Sequence, residues 1–266
     1  MNKKIYGVVG FGKLGRLLLK RPNFVPIECD ITDKNSVVKS YQKVDVLVNC
    51  AGITSVDACE QNQRSATKVN VTGNYNLHEV YGKRVLTISS DHIFPGITPE
   101  GETANFSPVN HYGWTKVGAE AISQIQQGRI IRLSRSVSIE DTDISRWIMS
   151  LYKNEEIYVP SFFTRNYLTR SQVVDGIEYF VNHFDLMPRV VNYGSIDTVS
   201  MLLFMKLVAT EFKLNPNLVK ENSEYNSNMT PRPLNGGFRT ELAQSIGFPM
   251  YYAWDAAEQL AEDANA

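Results

Sequence analysis

Short apolar runs alternate with amphipathic stretches through the first half of the chain, the pattern of a parallel sheet wrapped by helices. Residues 5–9 read as the first strand and 13–20 as the first helix. The run 24–29 is interrupted by Pro26, which cannot donate to a ladder, so it predicts an edge or irregular strand. A continuous apolar strand follows at 44–49, a long helix at 62–81 and another strand at 84–89. After a loop rich in Pro and Gly at 95–108, residues 112–126 predict a helix and 129–133 a buried strand. Past Ser134 the alternation is less regular. Helices are expected at 144–152, 171–182 and 198–212, and a strand at 190–193. Asn and Pro make 215–237 read as loop, and the Ala-rich, acidic last residues are expected to fray. No internal repeat is present.

The chain has 266 residues, 43% of them hydrophobic, enough for a core that folds alone. A net charge of -1 offers no basic field for nucleic acid and no polybasic anchor for a membrane surface. Cys29, Cys50 and Cys59 lack C-x-x-C spacing, so neither a disulfide framework nor a zinc site is expected, only thiols in a reducing compartment. Met1-Asn2-Lys3-Lys4 precedes an apolar run too short for a signal peptide, and no run reaches the length of a membrane span. A cytoplasmic protein is expected.

Gly10-x-Gly12-x-x-Gly15 lies between the first strand and the first helix, where glycines let backbone approach a pyrophosphate at a helix N-terminus. The alternative is a tight junction without a ligand. An acidic residue that binds the adenosine ribose belongs about twenty positions on, at Glu28 or Asp30. The spacing before Val44 is too short for two strands and their crossover. Either Asp30 ends the second strand, or that strand is truncated and Asp30 lies near the adenine. Lys13 and Arg16 flank the turn and could serve a 2'-phosphate, which tilts the reading to NADP(H) with NAD(H) as the alternative. At the end of the 44–49 strand, Asn49-Cys50-Ala51-Gly52 lets backbone pass close to a ligand, and Asn70 either braces that strand or faces solvent.

Tyr112 and Lys116 stand four apart on one helix and face the same way. The ammonium is expected to lower the phenol toward neutrality, as a general acid/base requires. Alternation along the preceding strand turns either Ser89 or Ser90 to the ligand. His78, His92, His111 and His183 show no metal-ligand spacing. His92, next to the Ser-Asp pair, reads as a polar loop residue, with a general-base role as the competing reading. The absence of a G-x-S-x-G elbow disfavours a serine hydrolase.

On these residues the chain resembles the dTDP-4-dehydrorhamnose reductase family of extended short-chain dehydrogenases/reductases. Asn49-Cys50-Ala51-Gly52-Ile53-Thr54-Ser55-Val56-Asp57-Ala58-Cys59-Glu60 is similar to the family's N-A-A-A-Y-T-A-V-D-x-A-E. Asp30-Ile31-Thr32-Asp33 resembles its D-I-T-D, Val69-Asn70-Val71-Thr72-Gly73 its V-N-x-x-G, and Ser89-Ser90-Asp91-His92-Ile93-Phe94-Pro95-Gly96 its S-T-D-Y-V-F-x-G. Tyr112-Gly113-Trp114-Thr115-Lys116 matches Y-G-x-[ST]-K, Arg132-Leu133-Ser134 resembles R-T-S, and Pro231-Arg232-Pro233 resembles the R-P segment.

The resemblance implies an α/β, Rossmann-like doubly wound parallel sheet over 1–135, with 166–197 returning to it. A smaller C-terminal lobe over 136–165 and 198–266 would bind substrate. It implies hydride transfer from NADPH or NADH to C4 of a nucleotide-linked 4-keto-6-deoxy sugar. Tyr112 would be the acid, Ser90 the carbonyl donor and Lys116 the ribose anchor. Gly10, Phe11, Gly12, Lys13, Leu14, Gly15, Asp30, Ile31, Asn49, Ala51, Gly52, Thr54, Asn70 and Ser89 would hold the cofactor together with Tyr112 and Lys116. Ser90, Asp91, His92, Arg135 and Arg232 would meet the substrate, with no metal, no nucleic acid and no membrane, and a homodimer allowed.

Three residues depart from the family: His92 for Tyr, Arg135 for Trp, and Gly236 for the Ser of R-P-x-x-S. Arg135 either lines the sugar, favouring a more acidic or polar substrate, or turns to solvent or to Glu140 or Asp141. The competing readings are a nucleotide-sugar epimerase or dehydratase, and a non-catalytic subunit like the beta subunit of methionine adenosyltransferase. Against a dehydratase, His92 follows Asp91 where a second acid belongs.

Overall fold

A computed structural model describes residues 3–224 and 229–265. Its centre is a sheet of β1 (Tyr6–Val9), β2 (Phe24–Pro26), β3 (Val46–Asn49), β4 (Val85–Ser90), β5 (Arg129–Leu133) and one later strand, Val190–Tyr193. The order is Val190–Tyr193, β5, β4, β3, β1, β2, every pair parallel. Helices cover both faces, so β1 and β3 are buried at all four positions and read as unbroken apolar runs. The fold is a Rossmann-like parallel sheet.

β2 is the edge, as Pro26 requires, and the chain leaves it through α2 (Lys34–Lys39) to cross to the other side of β1 as β3. Among the described residues no further strand lies beyond β2, which resolves the short spacing before Val44. Chain order therefore reverses at β1, and the crevice beyond the carboxyl ends of β1 and β3 is the place such sheets use for ligands. The first helix, α1 (Lys13–Leu18), opens there and stops two residues before its expected end.

The helix expected at 62–81 runs unbroken from Gln63 to Tyr81 as α4 (Gln63–Thr67), a π turn (Lys68–Thr72) and α5 (Gly73–Tyr81), and a short helix not expected from the sequence, α3 (Val56–Gln61), precedes it. Local caps start α3 and α4 separately: Ser55 Oγ accepts from Ala58 N at 3.2 Å and Asn62 Oδ1 from Ser65 N at 3.1 Å. Helix α6 (His111–Ile125) starts at an Asn110 cap and is bound to β5 by the fully buried, two-pronged Glu120–Arg132 pair.

Beyond β5 come β6 (Arg135–Val137), α7 (Thr142–Tyr152), β7 (Ile157–Pro160), β8 (Thr164–Arg165), β9 (Tyr167–Thr169), α8 (Arg170–Asn182), β10 (Val190–Tyr193), β11 (Val199–Ser200), α9 (Met201–Glu211), β12 (Val219–Asn222), α10 (Glu241–Ser245) and α11 (Ala253–Asn265). The 198–212 segment thus begins as a short strand, and 215–237 contains β12, paired in parallel with β7. Residues 225–228 of that segment lie outside the described residues. The segment up to Asn265 is a helix, and its first half is anchored because Ala253, Ala256, Ala257 and Leu260 form one buried stripe against α9. With Ile144, Ile148, Phe204 and Val208 they build a second core beside the sheet. Among the described residues no helix is long and apolar enough to cross a membrane.

Candidate active site

The glycine turn shows three different needs. Gly10 has φ +86°, and a Cβ on it would lie 2.3 Å from Ala51 N, so β1 and β3 meet closely there. A Cβ on Gly15 would lie 2.0 Å from the Gly10 carbonyl oxygen. Gly12 differs: a Cβ there meets no protein atom within 4 Å. The space over the start of α1 is open, and a phosphate fits it. Leu14 packs against the sheet core, while Phe11 and Lys13 remain on the surface side. Lys13 pairs with Asp141 at 3.1 Å, and Arg16 donates through Nε to the Phe11 carbonyl at 2.9 Å.

Asp30 follows β2 on the surface, where Oδ1 accepts from Thr32 N at 2.8 Å and that bond holds its carboxyl below the usual range. Ile31 turns its side chain into the core beneath Gly73. Asn49 joins its amide to Asn74 at 3.0 Å and to Ala51 N at 3.1 Å. Asn70 binds both polar groups of Ile53, at 2.7 and 2.9 Å, and Thr115 Oγ1 at 2.9 Å. Both amides are spent within the protein, and they tie the strand end that carries Gly52 and Thr54 to α6. Of the alternatives for Asn70, bracing is the one the geometry adopts.

β4 delivers Ser89 and Ser90 to opposite sides. Ser90 lines a cleft of about 590 Å³ together with Tyr112, while Ser89 Oγ is buried without a hydrogen-bond partner among the described residues. Ser90 Oγ donates to Asp91 Oδ1 at 3.0 Å and accepts from His92 N at 3.3 Å. Lys116 Nζ donates to the Ile88 carbonyl at 3.0 Å, stands 5.6 Å from the centre of the Tyr112 ring, and would be 4.0 Å from a Cβ on Gly52. The expected lowering of the Tyr112 phenol is overturned. Burial raises it, with Asp91 adding to the rise and the Ser90 hydroxyl pulling only part of the way back. Burial also lowers Lys116 to about 8, against the attraction of Cys59, Glu120 and Cys50. The phenol of Tyr112 is thus held in its protonated form.

The far walls of the cleft hold three Arg–Asp pairs. Arg165 Nε meets Asp91 Oδ2 at 3.0 Å in a nearly dry setting, and Ser134 Oγ donates to the same oxygen at 3.2 Å. Arg232 Nη2 reaches Asp57 at 2.8 Å, and Arg135 Nη2 reaches Asp143 at 2.9 Å. Arg135 therefore lines the cleft with a partner, but that partner is neither Glu140 nor Asp141. Asp57, Asp143, Arg165 and Trp147 line the cleft and were not singled out in the sequence. Gly236 also finds its reason here: a Cβ would lie 2.7 Å from the Arg165 guanidinium carbon and 2.9 Å from Asp91 Oδ2. The buried pair occupies the room a serine would need. Among the described residues no cluster of His, Cys, Asp or Glu is arranged for a metal.

A family model described as "RmlD substrate binding domain" matches residues 7–265. Over 99 residues the chain is 35% identical to a dTDP-4-dehydrorhamnose reductase of Mycolicibacterium smegmatis, covering 35% of this chain and 30% of that protein. Over 138 residues it is 34% identical to a probable low-salt glycan biosynthesis reductase of Haloferax volcanii, covering 47% of this chain and 45% of that one. These matches span less than half the length of either relative. A crystal structure of dTDP-4-dehydrorhamnose reductase from Bacillus anthracis in complex with NADP is similar in fold, with a TM-score of 0.83 at 21% identity over 97% of this chain and 98% of that one. Since the family match runs from the first strand to the end of α11, the chain belongs to the RmlD substrate binding domain family.

Proposed function

We propose that this chain is an NAD(P)H-dependent reductase that converts the C4 ketone of a nucleotide-linked 4-keto-6-deoxy sugar to an alcohol. The observation that carries the reading is the meeting of Ser90 and Tyr112 in one cleft wall with Lys116 beside the ring. The relatives named as reductases of dTDP-linked keto sugars supply the substrate class. The cofactor belongs with residues 1–135 and 166–197, its pyrophosphate over Gly12, and the nucleotide sugar with 136–165 and 198–266.

When bound, the reduced nicotinamide supplies a hydride to the carbonyl carbon. Tyr112 gives its phenolic proton to the carbonyl oxygen, so hydride and proton together make the alcohol. Ser90 turns its hydroxyl from Asp91 to that oxygen and stabilises the charge that develops there. Asp91 tolerates the loss because Ser134 and Arg165 still bind it. In this reading Lys116 holds the nicotinamide ribose, and its position next to Gly52 and the β4 carbonyl of Ile88 supports that role. A dehydratase is disfavoured because Asp91 is locked into an ion pair and His92 has taken the place of the second acid. The test is oxidation of NADPH and NADH by the purified protein against a panel of 4-keto nucleotide sugars. Turnover with dTDP-4-dehydrorhamnose and preference for NADPH are expected, and inertness toward the whole panel would sink the reading.

A further inference from the structure

His92 stands where the resembled family carries Tyr, beside Ser90 and with its ring edge-on to Tyr112 at 5.3 Å between centres. Its chemical form follows from Asn110, which is not among the residues that line the cleft. Asn110 caps α6, and its Oδ1 accepts from Gly113 N at 2.8 Å. A backbone N–H can only donate, so the oxygen of this amide must face Gly113 and the NH₂ must face the other way. There Nδ2 donates to the Pro231 carbonyl at 2.9 Å and meets His92 Nδ1 at 3.0 Å. An NH₂ group facing Nδ1 requires a lone pair on Nδ1. The ring proton then belongs on Nε2, which has no hydrogen-bond partner among the described residues and sits on the ring that lines the cleft.

We propose that Asn110 holds His92 as the neutral Nε2–H tautomer, and that this N–H is a fixed hydrogen-bond donor for an acceptor oxygen on the sugar of the bound nucleotide sugar. The second half rests on the proposed function; the first does not. His92 is then a specificity-determining residue and Asn110 a positioning residue. Burial and the facing cations Arg165 and Arg232 oppose a second proton on the ring, against the pull of Asp91. The lone pair that a general base needs is already engaged, which removes His92 as a competitor to Tyr112. A phenol at this place could donate or accept, whereas this imidazole only donates, so the site selects a sugar that offers an oxygen acceptor beside the reacting carbon.

The experiment is nitrogen-15 NMR of the full chain with labelled histidine at neutral pH, the His92 signals being assigned by their absence in His92→Gln. The Nε2–H form is expected. In Asn110→Asp the carboxylate still caps Gly113 but now accepts, so Nδ1 should become protonated. Titration with dTDP-rhamnose, using dTDP as control, should show about a tenfold loss of affinity in His92→Phe, retention in His92→Gln, whose amide NH₂ replaces Nε2–H, and no change toward dTDP. Protonation at Nδ1 in the unaltered protein would overturn the proposal, as would an Asn110→Asp ring identical to the parent's or equal dTDP-rhamnose affinity in His92→Phe. An Nε2–H ring in a protein that binds no dTDP sugar would refute the proposed function and the sugar contact while leaving the tautomer assignment standing.

Discussion

Lys116 stands one helical turn beyond Tyr112 on α6, its Nζ 5.6 Å from the centre of the phenol ring and bonded to the carbonyl of Ile88 on β4. The lysine is thus bonded to the backbone of the interior strand β4 and stands beside the phenol ring. Burial dominates both groups, and it moves them in opposite directions: Tyr112 up, Lys116 down.

From that arrangement, Tyr112→Phe should keep the affinity for NADPH and lose about a hundredfold or more in kcat, because only the proton delivered in the transition state is removed. Steady-state kinetics beside fluorescence titration of the cofactor measures both. Near-normal turnover would remove Tyr112 as the acid.

Lys116→Met should weaken cofactor binding while raising the melting temperature of the unliganded protein by about 2–4 °C at pH 7. The sign follows from linkage. With a folded value of about 8 and an ordinary one of 10.5, the unfolded chain holds more protons through that window, so the parent gains stability as pH rises from 8 toward 10.5. The advantage of the variant should therefore shrink over the same range. A constant or widening gap in melting curves taken from pH 7 to 10 would contradict the burial of a strained lysine.

The Arg165–Asp91 pair is the most exposed to single changes. Arg165→Met leaves a buried carboxylate without its cation and should cost about 3–5 kcal/mol, and adding Asp91→Asn should recover part of that loss. Denaturant titration of Arg165→Met, Asp91→Asn and the double variant decides it, and additive losses would mean the pair is not coupled. Gly236→Ser should also destabilise the fold through the same guanidinium.

Gly12→Val is a clean probe of the glycine turn. Gly12 has φ -70°, open to any residue, and a Cβ there meets no protein atom. The variant should melt with the parent yet bind neither NADPH nor NADH, since only a ligand backbone approach is blocked. Undiminished binding would reduce the turn to a junction.

Much of this was readable along the chain where local chemistry and fold agree. Pro26 announces the edge strand, Gly10 to Gly15 the first turn, and Tyr112 with Lys116 one face of α6. Two kinds of feature escaped. The first is structure whose driving force is tertiary: β12 exists because it pairs with β7, and α11 buries mostly alanines, whose small apolar area makes a faint stripe in an acidic tail. The second is pairing across sequence distance. Nothing near Asp91 announces Arg165, and nothing near Arg135 distinguishes Asp143 from Asp141. Asn70 was legible as a brace only as one of two choices, because an amide on a helix looks the same whether it holds a loop or water.

The central claim, reduction through Tyr112 in the cleft beside Ser90, is tested most directly by following the hydride itself. The protein is given NADPH deuterated at the transferred position of the nicotinamide C4 together with dTDP-4-dehydrorhamnose, and the sugar product is read by NMR. The account predicts deuterium on C4 of the sugar, formed at least about a hundredfold more slowly by Tyr112→Phe. Cofactor that stays reduced, or label that never reaches C4 of the sugar, would contradict it.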